Sequence, residues 1–269
     1  LACMAYVTLI WWKSSMSPLD AAMLIAIYVV YLLVLGRMPP QDQEGIEELD
    51  RIPRAVVAAR APVRVATIVA LFAGGGWLIY YAAEPFLGSL LAVSTAIGVP
   101  AFVFVQWVAP FVSEFPEKVS AFYWARTIEK APMALMNMVS SNINQWTLLT
   151  AMLVIVYSMS RGEPSVIHLD ANQRLEILMT LGQSLVGALF LVNMRLAWWE
   201  ASALFGLWAL QFAFSPVQGA LAGRVHEWVT YAYLVWAAIE IVRICLGRRQ
   251  AAAFQQFGVM WRRHVRPAR

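Results

Sequence analysis

Two glutamates interrupt an otherwise apolar stretch of this chain. Glu114 and Glu117 stand in Ser113-Glu114-Phe115-Pro116-Glu117, directly after the apolar residues Pro100 to Val112. An ionised carboxylate near mid-membrane costs at least roughly 3 kcal/mol, so function is the default reading of such a residue. Pro116 has no backbone N–H, which loosens the turn before it and leaves carbonyl oxygens free to face a cavity. Broken helices of this kind coordinate cations in transporters. The following segment carries Asn137, Ser140, Ser141, Asn142, Asn144 and Gln145 in its first half and is plainly apolar in its second. Carboxylate, amide, hydroxyl and carbonyl are all oxygen donors, of which calcium takes about six to eight. The bland alternative is that Glu117, beside Lys118, marks a cytoplasmic helix end, and that the Ser/Asn cluster only glues two helices through hydrogen bonds. Against it, residues 118–130 are needed to complete the span, because Pro100 to Val112 is too short to cross alone.

The elements that must position these groups follow from composition. In 269 residues, 61% are hydrophobic and 13% charged, and the mean hydropathy is +0.63. Charge is about half that of an ordinary soluble protein, and apolar runs recur about every 25 to 35 residues. This predicts an all-α integral membrane protein and excludes a soluble enzyme, a disordered tail and a disulfide scaffold. Cys3 and Cys245 have no metal-ligand spacing. The predicted spans, about eight in all, begin with Leu1 to Trp12, too short to cross and read as a helix missing its beginning. Pro18 to Leu35 follows. Val63 to about Val99 is one long helix, tilted or kinked, with Gly74-Gly75-Gly76 inside it. A helix broken near its middle covers Pro100 to Ile128. Pro132 to Ser158, Asn172 to Asn193, Leu196 to Phe214 and Trp228 to Leu246 complete the set. Leu1 is read as a truncation point in a longer protein.

The net charge of +4 is uneven, since seven arginines and no carboxylate lie between Arg243 and Arg269. That asymmetry is first a topology signal, and nucleic acid is not an expected partner. If the polar stretch from Arg37 to Ala61 is cytoplasmic, then Lys118, Arg126, Lys130, Arg195 and the arginine tail fall inside as well. The outer loops keep Lys13, Arg161, Arg174 and Arg224. The carboxy terminus is therefore expected in the cytoplasm, and short loops with an arginine-rich inside suggest a bacterial inner membrane. Glu200 and Glu240 lie near helix ends, where snorkelling or ion-paired anchors are expected, and are left outside the site. The tail from Ala251 to Arg269 fits a helix on an anionic leaflet or a plain topology anchor.

The stretch Ala109-Pro110-Phe111-Val112-Ser113-Glu114-Phe115-Pro116-Glu117, followed by Asn137-Met138-Val139-Ser140-Ser141-Asn142-Ile143-Asn144, resembles the α-repeat of the sodium/calcium exchanger (cation/calcium antiporter) family. That pattern is Gly-Thr-Ser-x-Pro-Glu, then Gly-Asn-x-x-Gly-Ser-Asn-x-x-Asn. On the resemblance Pro116-Glu117 are the Pro-Glu pair, Ser113 stands at the threonine, Ser141-Asn142 are the Ser-Asn pair and Asn137 is the earlier asparagine. Val112, Glu114, Met136, Ser140 and Gln145 depart from it. Glu114 adds a carboxylate that could raise divalent affinity or carry a proton, or could instead point to the cytoplasmic vestibule. The family fold implied is a transporter bundle of two inverted five-helix repeats joined by a cytoplasmic loop.

Laid onto this chain, the resemblance makes residues 1–36 the last two helices of an incomplete first repeat and 37–62 the cytoplasmic loop. Residues 63–214 become the second five-helix repeat with the ion site, 215–246 an extra transmembrane helix and 247–269 a basic cytoplasmic tail. It implies a secondary cation antiporter that exchanges Ca²⁺ or a related cation for Na⁺ or H⁺. Glu117 would be the principal ligand and, with Asn142, hold the metal. Ser113, Ser141, Asn137 and Glu114 complete the candidate set. Ca²⁺ and Na⁺ or H⁺ are substrates; no cofactor is expected. The expected partners are the lipid bilayer, small cations, and a missing first repeat supplied by the same chain or by a second copy. A non-transporting scaffold, in which the polar cluster only locks helices, is the alternative. An intramembrane enzyme is disfavoured. His168 and His226 fall in outer loops, His264 lies in the tail, and no His-Glu-x-x-His occurs.

Overall fold

A computed structural model describes residues 1–38, 46–49, 51–214 and 220–265. Parts of the sequence readings for the 37–62 loop, the 215–246 helix and the tail therefore lie outside the described residues. The chain divides into two compact units, one formed by residues 1–38 and 116–269 and the other by 39–115.

In the larger unit, α1 (Ala2–Lys13) and α2 (Pro18–Arg37) are joined by a tight reversal. Ser14 sits in the left-handed region at φ 54°, and Ser15–Met16 form a short strand, β1. Ser17 opens α2 with its backbone N–H donating to Asp20 Oδ2 at 2.7 Å, and Pro18 occupies the first turn, where no N–H is needed. Asp20 is buried yet fully used. It pairs with Lys13, and its two oxygens accept from the Tyr6 hydroxyl at 2.8 Å and the Ser17 hydroxyl at 2.7 Å. Strand β1 runs antiparallel to β2 (Ile167–His168), with Ser15 opposite His168 and Met16 opposite Ile167. Trp11 Nε1 donates to the Arg174 carbonyl at 3.0 Å, and the Arg174 guanidinium lies over the Trp11 ring. Lys13, Arg161 and Arg174, assigned to one side of the membrane by loop charge, thus stand in the helix ends that flank the ribbon.

Residues 131–161 form one apolar helical rod, made of α7 (Ala131–Asn144), a π turn (Gln145–Leu149) and α8 (Thr150–Arg161). Gly162, at φ 72°, ends it. α9 (Ala171–Phe190) starts on a reciprocal cap, in which Gln173 N donates to Asp170 Oδ1 and Asp170 N donates to Gln173 Oε1. α10 (Trp198–Phe214), α11 (Ala220–Cys245) and α12 (Ala252–Met260) follow. One apolar cluster joins α1, α2, α8 and α9 through Val7, Ile10, Leu24, Val154 and Leu181. A second joins α9 to α11 through Val186, Phe190, Val229 and Tyr233.

α9 and α11 approach closely because Gly182 has no side chain. A Cβ there would stand 3.0 Å from Tyr233 Cβ, and that stem cannot swing aside as a flexible side-chain tip could. Gly182→Ala should therefore destabilise the protein by about 1–3 kcal/mol, read as a lowered melting temperature in detergent; an unchanged melting temperature would show that the helices separate freely.

The smaller unit holds α3 (Arg51–Ala58), α4 (Ala61–Ala96) and α5 (Ala101–Ser113). α3 is a helix inside the polar stretch read from sequence as a cytoplasmic loop. Arg54 closes the turn before it by donating from Nε to the Leu49 carbonyl at 3.1 Å. α4 is a single helix through the triple glycine and Pro85. Its 36 residues reach about 54 Å, well beyond a hydrocarbon core of about 30 Å. Its most apolar stretch has no buried residue, as expected of a helix whose apolar surface meets lipid. Among the described residues, five helices are long and apolar enough to cross a membrane alone: 18–37, 61–96, 131–161, 171–193 and 223–245. The remaining apolar segments are shorter. The structure has the all-α architecture predicted from the apolar runs.

Candidate functional site

The predicted break falls at Glu114. α5 ends at Ser113 and a new helix, α6 (Phe115–Ala125), begins two residues later. The cause lies in the backbone: Pro116 cannot donate to the Val112 carbonyl four residues earlier, and its ring disfavours helix there. The same proline is tolerated at the start of α6, where first-turn N–H groups have no helical partner. Glu117 then sits in the first turn, where a carboxylate meets the positive end of the helix dipole, worth about 0.3–1 kcal/mol.

Glu117 is exposed and is met by α7. Ser141 Oγ donates to Glu117 Oε2 at 2.5 Å, a charge-assisted bond between helices from positions 24 residues apart. Asn137 is one turn before Ser141, on the same face of α7, and is half-buried. Asn142 is rotated about 100° from Ser141 around the helix and is exposed. Ser113 and Glu114 close α5 in the other unit; the Ser113 hydroxyl leans on the Pro110 carbonyl at 3.4 Å, and Glu114 is half-buried. Of the six candidate residues, the structure thus joins Glu117 directly to Ser141 and aligns Asn137 with them.

Two features of the site were not read from the sequence. Tyr31, in the middle of α2, has its hydroxyl 2.9 Å from Ser140 Oγ, so the helix carrying Ser141 is also tied on its adjacent face. The signal was present in Ser140 itself, a hydroxyl at a position where the resembled pattern has glycine. The π turn at 145–149 follows the polar segment directly. Thr150 Oγ1 donates to the Gln145 carbonyl at 2.8 Å and Thr147 Oγ1 to the Ile143 carbonyl at 2.6 Å. Such turns frequently accompany functional sites. Among the described residues no three of His, Cys, Asp and Glu gather. A cation held beside Glu117 would draw its other ligands from hydroxyl, amide and carbonyl oxygens.

Comparison with known proteins bears on the same segment. The family model described as sodium/calcium exchanger protein matches residues 67–216. A solved structure described as the H⁺/Ca²⁺ exchanger CAX superimposes with a TM-score of 0.84 at 27% identity. That match covers 97% of this chain and 62% of the other, so this chain spans less than two thirds of that structure's length. No curated protein matches the chain significantly.

Proposed function

The chain belongs to the sodium/calcium exchanger family, and on that premise we propose that it works as part of a secondary cation antiporter moving Ca²⁺ or a related cation against Na⁺ or H⁺. Family and fold make it an integral membrane transporter rather than an enzyme. The observation that carries the finer reading is the Ser141 to Glu117 hydrogen bond. It sets a carboxylate at the restart of a broken helix against the polar face of the next one. Glu117 is the principal ligand in this proposal. Ser141, Asn137 and Asn142 support it. Na⁺ or H⁺ at the same oxygens would neutralise the carboxylate and lower divalent affinity, which couples the two fluxes.

Even with both oxygens of Glu117, these residues offer fewer than the about six to eight oxygens that calcium takes. The proposal therefore includes an opposing inverted repeat, in the same polypeptide or in a second copy. The match to 62% of the exchanger structure supports it. The cytoplasmic placement of the carboxy terminus, in a bacterial inner membrane, rests on the loop charges. It is supported by the grouping of Lys13, Arg161 and Arg174 on the ribbon side.

The test is Ca²⁺ uptake into vesicles holding the protein in its natural reading frame, with a Na⁺ or a proton gradient imposed in turn. Uptake driven by one of the gradients is expected; none under either would overturn the proposal. Ser141→Ala should keep transport but weaken apparent Ca²⁺ affinity about tenfold, as loss of a hydrogen bond to a charged group does. Unchanged affinity in a concentration series would remove Ser141 from the site.

A further inference from the structure

We propose a second binding site, for a phosphate-bearing anion, in a cavity of about 940 Å³ formed where the turn before α10 meets the turn after α11. It is independent of the ion-exchange reading. Its walls include Arg195, Arg243, Arg248 and Arg249, with Asn193 and Glu200. Both turns are built by left-handed residues. Met194, at φ 61°, precedes Arg195, whose N–H donates to Asn193 Oδ1 at 3.0 Å. Gly247, at φ 70°, ends α11, and the N–H groups of Arg248 and Arg249 fold back onto the Arg243 carbonyl at 2.9 and 3.2 Å. One arginine of this consecutive pair is thereby buried and the other left exposed.

The charges do not cancel. Arg249 is buried and spans two buried carboxylates, at 2.7 Å to Glu200 Oε1 and 2.9 Å to Glu240 Oε2. It also donates to the Phe190 carbonyl at 2.7 Å. Arg243 takes the other oxygen of Glu240 at 2.7 Å, and the remaining oxygen of Glu200 accepts the Ala197 N–H at 3.0 Å. Two carboxylates are thus consumed by two guanidinium groups and one backbone donor. Arg195 and Arg248 remain as surplus positive charge on the same wall. Arg249 Nε is buried with no hydrogen-bond partner among the described residues, so the cluster holds more donors than acceptors. Guanidinium forks and side-chain amides are the groups that recognise phosphate oxygens. The Arg195 turn also exposes Met194, Leu196 and Trp198, an apolar and aromatic rim suited to the membrane interface, where basic pockets between helices take lipid headgroups.

The ligand chemistry is a phosphate group, from an anionic lipid headgroup or from free phosphate. The experiment is native mass spectrometry of the detergent-purified protein, titrated with phosphatidylglycerol, phosphatidylcholine or inorganic phosphate. It is run on the natural sequence, on Arg195→Gln with Arg248→Gln, and on the charge-matched control Arg262→Gln with Arg263→Gln. The altered arginines are exposed, and melting temperature checks the fold of each variant. Retention of phosphatidylglycerol over phosphatidylcholine, weakened about tenfold or more by the first pair and not by the control, is expected for a lipid site. Binding of inorganic phosphate, lost in the first pair and displacing phosphatidylglycerol, supports the site with free phosphate as ligand. Equal retention of both lipids with no phosphate binding, or equal weakening by both pairs, overturns the proposal.

Discussion

Glu117→Gln is expected to abolish divalent transport while leaving the protein folded. The amide keeps the size of the side chain and can still accept from Ser141 Oγ, now 2.5 Å from Oε2, but it removes the charge that opposes the cation. A carboxylate contributes Coulomb energy to a divalent ion that an amide dipole cannot replace. It is also the group that Na⁺ or H⁺ would neutralise in exchange. Uptake at background level in vesicles, with an unchanged melting temperature, is the expected pair of readings. Exchange at normal affinity would remove Glu117 from the site. Lost transport together with a large fall in melting temperature would make Glu117 a structural tie, which is the scaffold alternative.

Arg249→Met should be the most destabilising single change outside that site. It leaves Glu200, 3% exposed, and Glu240, 1% exposed, without their shared counter-charge. Breaking a buried ion pair from one side typically costs about 3–5 kcal/mol. Arg243 still serves one oxygen of Glu240, so Glu200 carries most of the loss. The aromatic packing around it is also disturbed: Arg249 lies over the Phe190 ring at 5.6 Å, and Phe190 meets Trp236 edge-on at 5.4 Å. Thermal unfolding in detergent, followed by tryptophan fluorescence, reads the effect. Adding Glu200→Gln and Glu240→Gln to the same protein should recover much of the lost stability by removing the stranded charges. If Arg249→Met alone melts like the natural sequence, water reaches the cluster and the charges are not desolvated.

The helices were legible where one physical signal dominates. Apolar runs bounded by charge placed α2, α4, α7 to α8, α9 and α11, and Pro116 beside Glu114 and Glu117 located the break because a missing N–H acts locally. What stayed hidden depends on tertiary placement. Arg249 reads as one more residue of a basic tail, and only the reversal at Gly247 turns it into the buried partner of two glutamates. Glu200 and Glu240 were read as candidate ion-paired anchors, and they are, but nothing in the sequence pairs both with one arginine. α3 escaped because acidic and basic residues dominate the composition of its surroundings. In the candidate site, the motif named Glu117 and Ser141, which the structure joins. The Tyr31 hydroxyl at Ser140 was not legible, because a tyrosine in an apolar run gives no sign of where its tip will land.

The pairing of β1 with β2 imposes an order on synthesis. Residue 15 cannot meet its partner until residue 168 has been made, and at about 5–20 residues per second that interval lasts roughly 8 to 30 s. In that interval α1 and α2 must rest in the bilayer with a carboxylate in the opening turn of α2. Every group that satisfies Asp20 comes from Tyr6, Lys13 and Ser17, all of them already translated. The hairpin of α1 and α2 is thus electrically complete from its own residues and can wait in lipid for the ribbon that later clasps it.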